Sequence, residues 1–178
     1  MVEVSNTFEP PVSLGAAVRA PDRAAILEEM AGIVDASPLI TLATVTSHGW
    51  PSTACMHFGL HRDGPRPIIY MMTHDGTRKL ANIAADPRVA LAVFSYGEGG
   101  AERLAVHLQG LCSEVRSPSE HALAMREHSR RPGYEFTRYI SMQYQPALRV
   151  EVVRGTVFRP DGALDVDFPA AVTQTEGS

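Results

Sequence analysis

Hydrophobic positions change period several times along this chain, and each change marks an element. Ile26, Leu27, Met30, Ile33 and Val34 recur at helical spacing, which predicts a helix with one apolar face. Pro21 and Asp22 open it, with Asp22 placed to cap the first turn. Ser37-Pro38 ends it, because a residue before proline avoids the α region. Leu39 to Thr46 then alternates, with Ile40, Leu42 and Thr44 on one face and Leu39, Thr41, Ala43 and Val45 on the other. His48-Gly49 is a tight turn into a second strand, Pro51 to Leu60. His61 to Pro67 reads as a hairpin loop and Pro67 to Thr73 as a third strand. Thr77 to Ala85 returns to helical spacing through Leu80, Ile83 and Ala84, and Asp86-Pro87 stops it. Arg88 to Tyr96 and Glu102 to Val115 read as strands on either side of the glycine-rich loop at 97–100. Ser117-Pro118-Ser119-Glu120 has the form of a capping box and starts a helix to about Ser129. Tyr134 to Ile140 is expected to make one or two helical turns, and Pro146 to Arg159 the last strand.

The sum is six strands, with helices at the front, in the middle and late in the chain. Most strand connections are short, so neighbours should pair antiparallel. The expected fold class is therefore mainly β: a small antiparallel barrel, closed or partly closed, with helices at its rims. At 178 residues the chain has room for about one domain. We place that domain at 21–160, between a flexible N-terminal arm at 1–20 and a frayed C-terminal tail at 161–178.

Composition narrows the function classes. Lys and Arg number 16 against 20 Asp and Glu, a net charge of −4. A nucleic-acid binder needs a basic surface for phosphate contacts, so that class is not expected. No apolar run approaches the ~18 residues that would span a bilayer, so a membrane role is not expected either. The acidic, proline-containing N-terminus does not have the form of a signal peptide. Cys55 and Cys112 are the only cysteines, and they are expected to be free thiols in a reducing cytoplasm.

The segment richest in chemistry is Met71 to Arg88, MMTHDGTRKLANIAADPR. A strand ends at Thr73, a glycine turn follows, and a helix begins near Thr77. Backbone N–H groups at a helix start lack internal partners and lie at the positive end of the dipole. A phosphate placed there would be held by those groups, the Thr77 hydroxyl and the two cations Arg78 and Lys79. Cations at a helix N-terminus are electrostatically unfavourable without an anion, which strengthens that reading. The alternative is that Arg78 and Lys79 are simply solvated.

The run from Thr73 to Leu91, T-H-D-G-T-R-K-L-A-N-I-A-A-D-P-R-V-A-L, resembles the flavin-binding segment of the pyridoxamine 5′-phosphate oxidase-like split-barrel family. The Asn82 to Val89 continuation, Asn-x-x-x-Asp-Pro-Arg-Val, is equally typical, and the order of elements matches from about Ala24 to Phe158. The resemblance implies a six-stranded antiparallel split β-barrel, a homodimer, and FMN in clefts at the dimer interface. Carried over by position, Thr77, Arg78 and Lys79 would bind phosphate, and Met72 and Thr73 would line the site. The second strand, Thr53, Ala54, Cys55, Met56 and His57, would run along the ribityl chain and ring with its main-chain groups. The implied activity is a flavin-dependent oxidoreductase passing a hydride or electrons to a small organic substrate, and no catalytic acid or base is assigned. A non-catalytic flavin- or haem-binding protein of the same fold is the alternative.

Two departures shape that expectation. Ala54 stands where the pyridoxamine phosphate oxidases usually carry a basic residue, and their arginine- and histidine-containing C-terminal signature is not evident after Val150. The chain therefore resembles the broader branch, some of whose members use a deazaflavin in place of FMN, rather than the vitamin oxidase itself. Among the histidines no pair has a tight metal spacing, so no metal is expected. His57 and His74 are candidate substrate contacts. Trp50 could stack near the flavin or pack at the barrel rim, and Arg130-Arg131 reads as a solvated charge pair.

Overall fold

A computed structural model of the chain describes residues 23–63, 66–96, 103–131, 145–160 and 162–168. The elements run α1 (Arg23–Ala36), β1 (Ile40–Val45), β2 (Pro51–Met56), β3 (Phe58–His61), β4 (Ile68–Met72), α2 (Arg78–Ala85), β5 (Arg88–Tyr96), β6 (Arg103–Glu114), α3 (Pro118–Ser129), β7 (Ala147–Arg159) and β8 (Gly162–Asp167). The expected N-terminal arm, the Asp22 cap, the loop at 97–100 and the helical turns at 134–140 lie outside the described residues.

All the strand pairings are antiparallel, in the order β2-β1-β5-β6-β7-β4-β3, with β8 added beside β7. β2 and β3 stand at opposite ends of that path, yet only His57 separates them in sequence. The sheet therefore curls until its two ends meet in one run of chain, which is a split barrel. Its interior is built by alternation: Ile40, Leu42 and Thr44 of β1 point inward, as do Val89, Leu91 and Val93 of β5. Val106 and Leu108 of β6, and Val150, Val152 and Val157 of β7, complete the wall. α1 lays Ile26, Met30, Ile33 and Val34 over this core, matching the helical spacing that predicts it.

The fold class is as expected, but two strand assignments need correction. The second strand is not one strand from Pro51 to Leu60: it breaks at His57 because its halves bond to different neighbours, β2 to β1 and β3 to β4. The chain beyond Asp161 does not fray at once. Gly162–Asp167 forms β8, and Phe168 is buried. A β-bulge explains how it docks. The β6–β7 register passes from Gln109↔Arg154 to Gly110↔Val152, leaving Val153 without a partner on β6. The Val153 carbonyl instead accepts the Phe168 N–H at 2.9 Å. A Cβ at Gly110 would lie 2.7 Å from the Glu151 carbonyl oxygen, so only glycine fits opposite the bulge.

α3 starts as its sequence predicts, with Pro118 in the first turn and Ser117 Oγ accepting the Glu120 N–H at 3.5 Å. The capping box is only half formed. The Glu120 carboxylate turns away to accept from Tyr70 Oη at 3.1 Å and from Arg149 Nε at 3.1 Å, tying α3 to β4 and β7. Arg131 is not solvated as expected. It is buried, with Nη1 donating to Asp35 Oδ1 and Nη2 to the carbonyls of Val34 and Ser37, each at 2.6 Å. It thus joins the Ser37 N–H on the Val34 carbonyl, in the last turn of α1, and holds the Ser37 carbonyl just beyond the helix.

Candidate functional site

Thr77 is the N-cap of α2, with extended backbone angles (φ −75°, ψ 149°). Its hydroxyl makes no capping bond, and the first turn contains no acidic residue. The hydroxyl lies instead 3.4 Å from Thr73 Oγ1, at the end of β4. Lys79 Nζ reaches back to donate to Thr73 Oγ1 at 2.9 Å. Burial pushes the Lys79 ammonium below the usual lysine range, so an anion beside it would relieve an electrostatic cost. Arg78 stands exposed next to it. An uncapped helix start, a partly desolvated ammonium and an exposed guanidinium are the donors from which a cradle for an oxyanion can be built.

This cradle borders a cavity of about 310 Å³. Ser52, Thr53 and Ala54 of β2 line one side, Leu42 and Thr44 of β1 the back, and Thr77, Arg78 and Lys79 the other side. β2 ends the sheet path and, among the described residues, bonds to β1 alone, so its second edge offers main-chain donors and acceptors. The geometry joins an anion cradle to a strand edge across a small cavity. That combination suits a flat, elongated molecule with a phosphate at one end.

The continuation after the cradle is a support. Asn82 Nδ2 donates to the buried Thr44 Oγ1 at 2.9 Å, fixing α2 to β1. Asp86 ends α2, its N–H bonded to the Asn82 carbonyl at 2.8 Å. Arg88 grips Asp86 through Nε (3.0 Å) and Nη2 (2.7 Å), and this bonding holds the Asp86 carboxyl down at about 2. The Pro87 carbonyl accepts the Cys112 N–H at 2.7 Å, which stitches the turn to β6.

Of the residues expected at the site, Thr53, Ala54, Thr77, Arg78 and Lys79 line the one cavity, and Thr73 joins them through its bond to Lys79. Cys55, Met56, His57 and Met72 do not line it. Cys55 faces outward near Thr41, Met56 is in the core, and Met72 packs with a second apolar cluster around Tyr70. The His57 ring lies 6.2 Å from that of His128, away from the cradle. His74 is exposed in the turn before α2. Trp50 does not pack at the rim: it is 73% exposed on the β1–β2 hairpin. Leu42, Thr44 and Ser52 are the lining residues that sequence reasoning passed over. The available signal is Thr44 itself, a polar residue at an inward position of an otherwise apolar face.

The family model described as pyridoxamine 5′-phosphate oxidase matches residues 26–157. A search of curated proteins found no match. Among solved structures, the chain is similar to a heme binding protein from Mycobacterium smegmatis, with a TM-score of 0.65 at 24% identity over 84% of this chain and 60% of that one. It is similar to a protein related to general stress protein 26 from Clostridium acetobutylicum, with a TM-score of 0.62 at 16% identity, covering 82% of this chain and 96% of that one. A FAD-binding protein from Mesorhizobium loti gives a TM-score of 0.58 at 19% identity, covering 73% and 91%. At these identities the likeness is one of fold.

Proposed function

The chain belongs to the pyridoxamine 5′-phosphate oxidase family, and on that footing we propose that it binds a flavin, FMN or a deazaflavin, through the cradle at the start of α2. The observation that carries this reading is the uncapped α2 N-terminus beside a partly buried Lys79, opening onto the cavity along β2. The residues fit a flavin phosphate: the helix N–H groups, the Thr77 hydroxyl, Arg78 and Lys79 all donate, and the first turn holds no carboxylate to repel it. The main-chain edge of β2 at Ser52, Thr53 and Ala54 would hold the ribityl chain and ring edge. Leu42 and Thr44 behind it would exclude water from one side. The bound flavin would supply hydride or electron transfer to a small organic substrate. Two copies would meet over the outer sheet face, where Phe94 and Leu111 are exposed, and enclose the ring between them. The likeness to a solved FAD-binding protein supports the choice of ligand.

A second reading is flavin or haem binding without turnover. It is favoured by the cavity lining, in which Arg78 and Lys79 are the only ionisable side chains among the described residues, and by the likeness to a heme binding protein. The absorption spectrum of the concentrated protein, followed by titration with FMN and with haem, tests both. We expect a flavin spectrum or saturable FMN binding. Arg78→Ala and Lys79→Ala should each weaken FMN binding about 10- to 100-fold, the worth of one charge-assisted hydrogen bond. Absence of FMN and deazaflavin binding would overturn the flavin reading. Bound flavin that neither a nicotinamide donor nor a reduced deazaflavin can reduce would favour the second.

A further inference from the structure

Lys79 is the one lysine of the chain; every other member of the 16 Lys and Arg is an arginine. Where this fold uses a fixed positive charge it uses a guanidinium: Arg62, Arg66, Arg131 and Arg149 each pair with a carboxylate. Lys79 is placed differently. Among the described residues neither Lys79 nor Arg78 forms an ion pair. Lys79 is half-buried, its Nζ is held by the 2.9 Å bond to Thr73 Oγ1, and it lines the cavity of about 310 Å³ beside β2. Burial without a counter-charge pushes its ammonium below the usual lysine range, which favours the neutral amine. A guanidinium in that place would keep its proton, whereas a desolvated amine is a nucleophile.

The position of that amine restricts the electrophile it can meet. Thr77 and Arg78 precede Lys79 in the same turn and line the same cavity, so the donors suited to a phosphate stand directly beside the nucleophile. The described lining residues include no carboxylate that would repel an anion. A carbon delivered to Nζ by a phosphate held in that turn must lie within a bond or two of phosphorus. An acyl phosphate meets this condition, because one oxygen joins its carbonyl carbon to the phosphate. A phosphorylated ring aldehyde does not, because its carbonyl lies several bonds away along the cavity.

We propose that Lys79 is a modification site, acylated by a small acyl phosphate docked at Thr77 and Arg78, and that the amide so formed closes the turn to a phosphorylated ligand. The amine nitrogen attacks the acyl carbon, a C–N bond forms, and the C–O bond to phosphorus breaks. Inorganic phosphate leaves with the electron pair, and the amine proton goes to solvent. The step rests on the phosphate site proposed above but not on flavin as its occupant. Incubation of the purified protein with acetyl phosphate, followed by peptide mapping, tests it. The reaction is irreversible and ligand binding is not, so a bound flavin slows it without hiding it. Lys79 should be acetylated about ten-fold faster in the folded protein than in the urea-unfolded chain, a small part of what holding two reactants together can give. Inorganic phosphate should slow the reaction with acetyl phosphate and leave that with acetic anhydride, which carries no phosphate, unchanged. Arg78→Gln should lose most of the advantage toward acetyl phosphate. The acetylated protein should bind FMN about ten-fold more weakly or worse. Equal rates in the folded and unfolded chain would overturn the proposal. So would a reaction insensitive to inorganic phosphate, or FMN affinity unchanged by full acetylation. Phosphate-sensitive acetylation of Lys79 in a protein that binds neither FMN nor a deazaflavin would overturn only the flavin reading. FMN binding with an inert Lys79 would overturn only this one.

Discussion

Asn82 Nδ2 donates a 2.9 Å hydrogen bond to Thr44 Oγ1, and both residues are buried. The Thr44 hydroxyl donates onward to the Ser52 carbonyl at 3.4 Å. One side chain of α2 therefore sets the rotamer of a β1 threonine and, through it, the strand that edges the candidate site. Asn82→Ala should lower stability by about 1–3 kcal/mol, the loss expected when a buried bond is broken and an acceptor is left without its donor. Asn82→Asp should be worse, because it buries a carboxylate where a donor is needed. Chemical denaturation of the three proteins checks the ranking. Equal stability of the Ala and Asp variants would show that the bond does not form.

Arg131 joins three parts of the fold at once. Its guanidinium carbon lies 4.1 Å from the Phe58 ring centroid, and it donates to Asp35 and to two carbonyls at the end of α1. Arg131→Met should destabilise the protein by roughly 3 kcal/mol, through loss of charge-assisted bonds to groups that remain partly buried. Arg131→Lys should recover only part of this, since an ammonium cannot span all three acceptors in the guanidinium's plane. Urea denaturation midpoints of the two variants measure both effects.

The two thiols sit in opposite environments. Cys112 is buried, and desolvation pushes its thiol up to about 12. Cys55 is exposed on β2. A thiolate-directed reagent at pH 8 should therefore modify one thiol in the native protein and both after denaturation. Peptide mapping should find the native adduct on Cys55. Rapid native labelling of Cys112 would contradict the packing of β6.

His128 is buried in α3, and its imidazolium is pushed down to about 4 by desolvation, with His57 and Arg131 adding repulsion. An unfolded histidine takes up its proton near pH 6.5. Between about pH 6.5 and 4 the unfolded chain binds the extra proton, so stability falls as pH drops through that window. The full loss is on the order of 3 kcal/mol. Denaturant midpoints at several pH values should show this slope in the parent chain and a shallower one in His128→Gln. Parallel slopes would mean that His128 titrates normally in the native state.

Local rules were enough for most elements. Apolar spacing marked α1, alternation marked β1 and β5, and proline with a capping serine marked the start of α3. The turn at Thr77, Arg78 and Lys79 was legible because helix-terminus electrostatics act over one turn of chain. What was not legible depended on distant partners. The break at His57 arises because β2 and β3 bond to strands from opposite ends of the sheet path. β8, with few apolar positions, is ordered by its pairing along β7, and the chain just after it by the Val153 carbonyl at a bulge that no local pattern reveals. Arg131 looked like a surface charge because the carbonyls it holds are more than 90 residues away in sequence.

Sequence by itself therefore determined the mainly β class, most of the order of elements and the helix start at Thr77, Arg78 and Lys79, since spacing, turn chemistry and capping act between near neighbours. Only the tertiary structure decided which residues share a cavity. It brought Leu42, Thr44 and Ser52 to the cradle and turned Cys55, Met56 and Met72 away from it. The reason is geometric: a strand's alternation fixes which residues share a face, but the curl of the sheet fixes what that face meets.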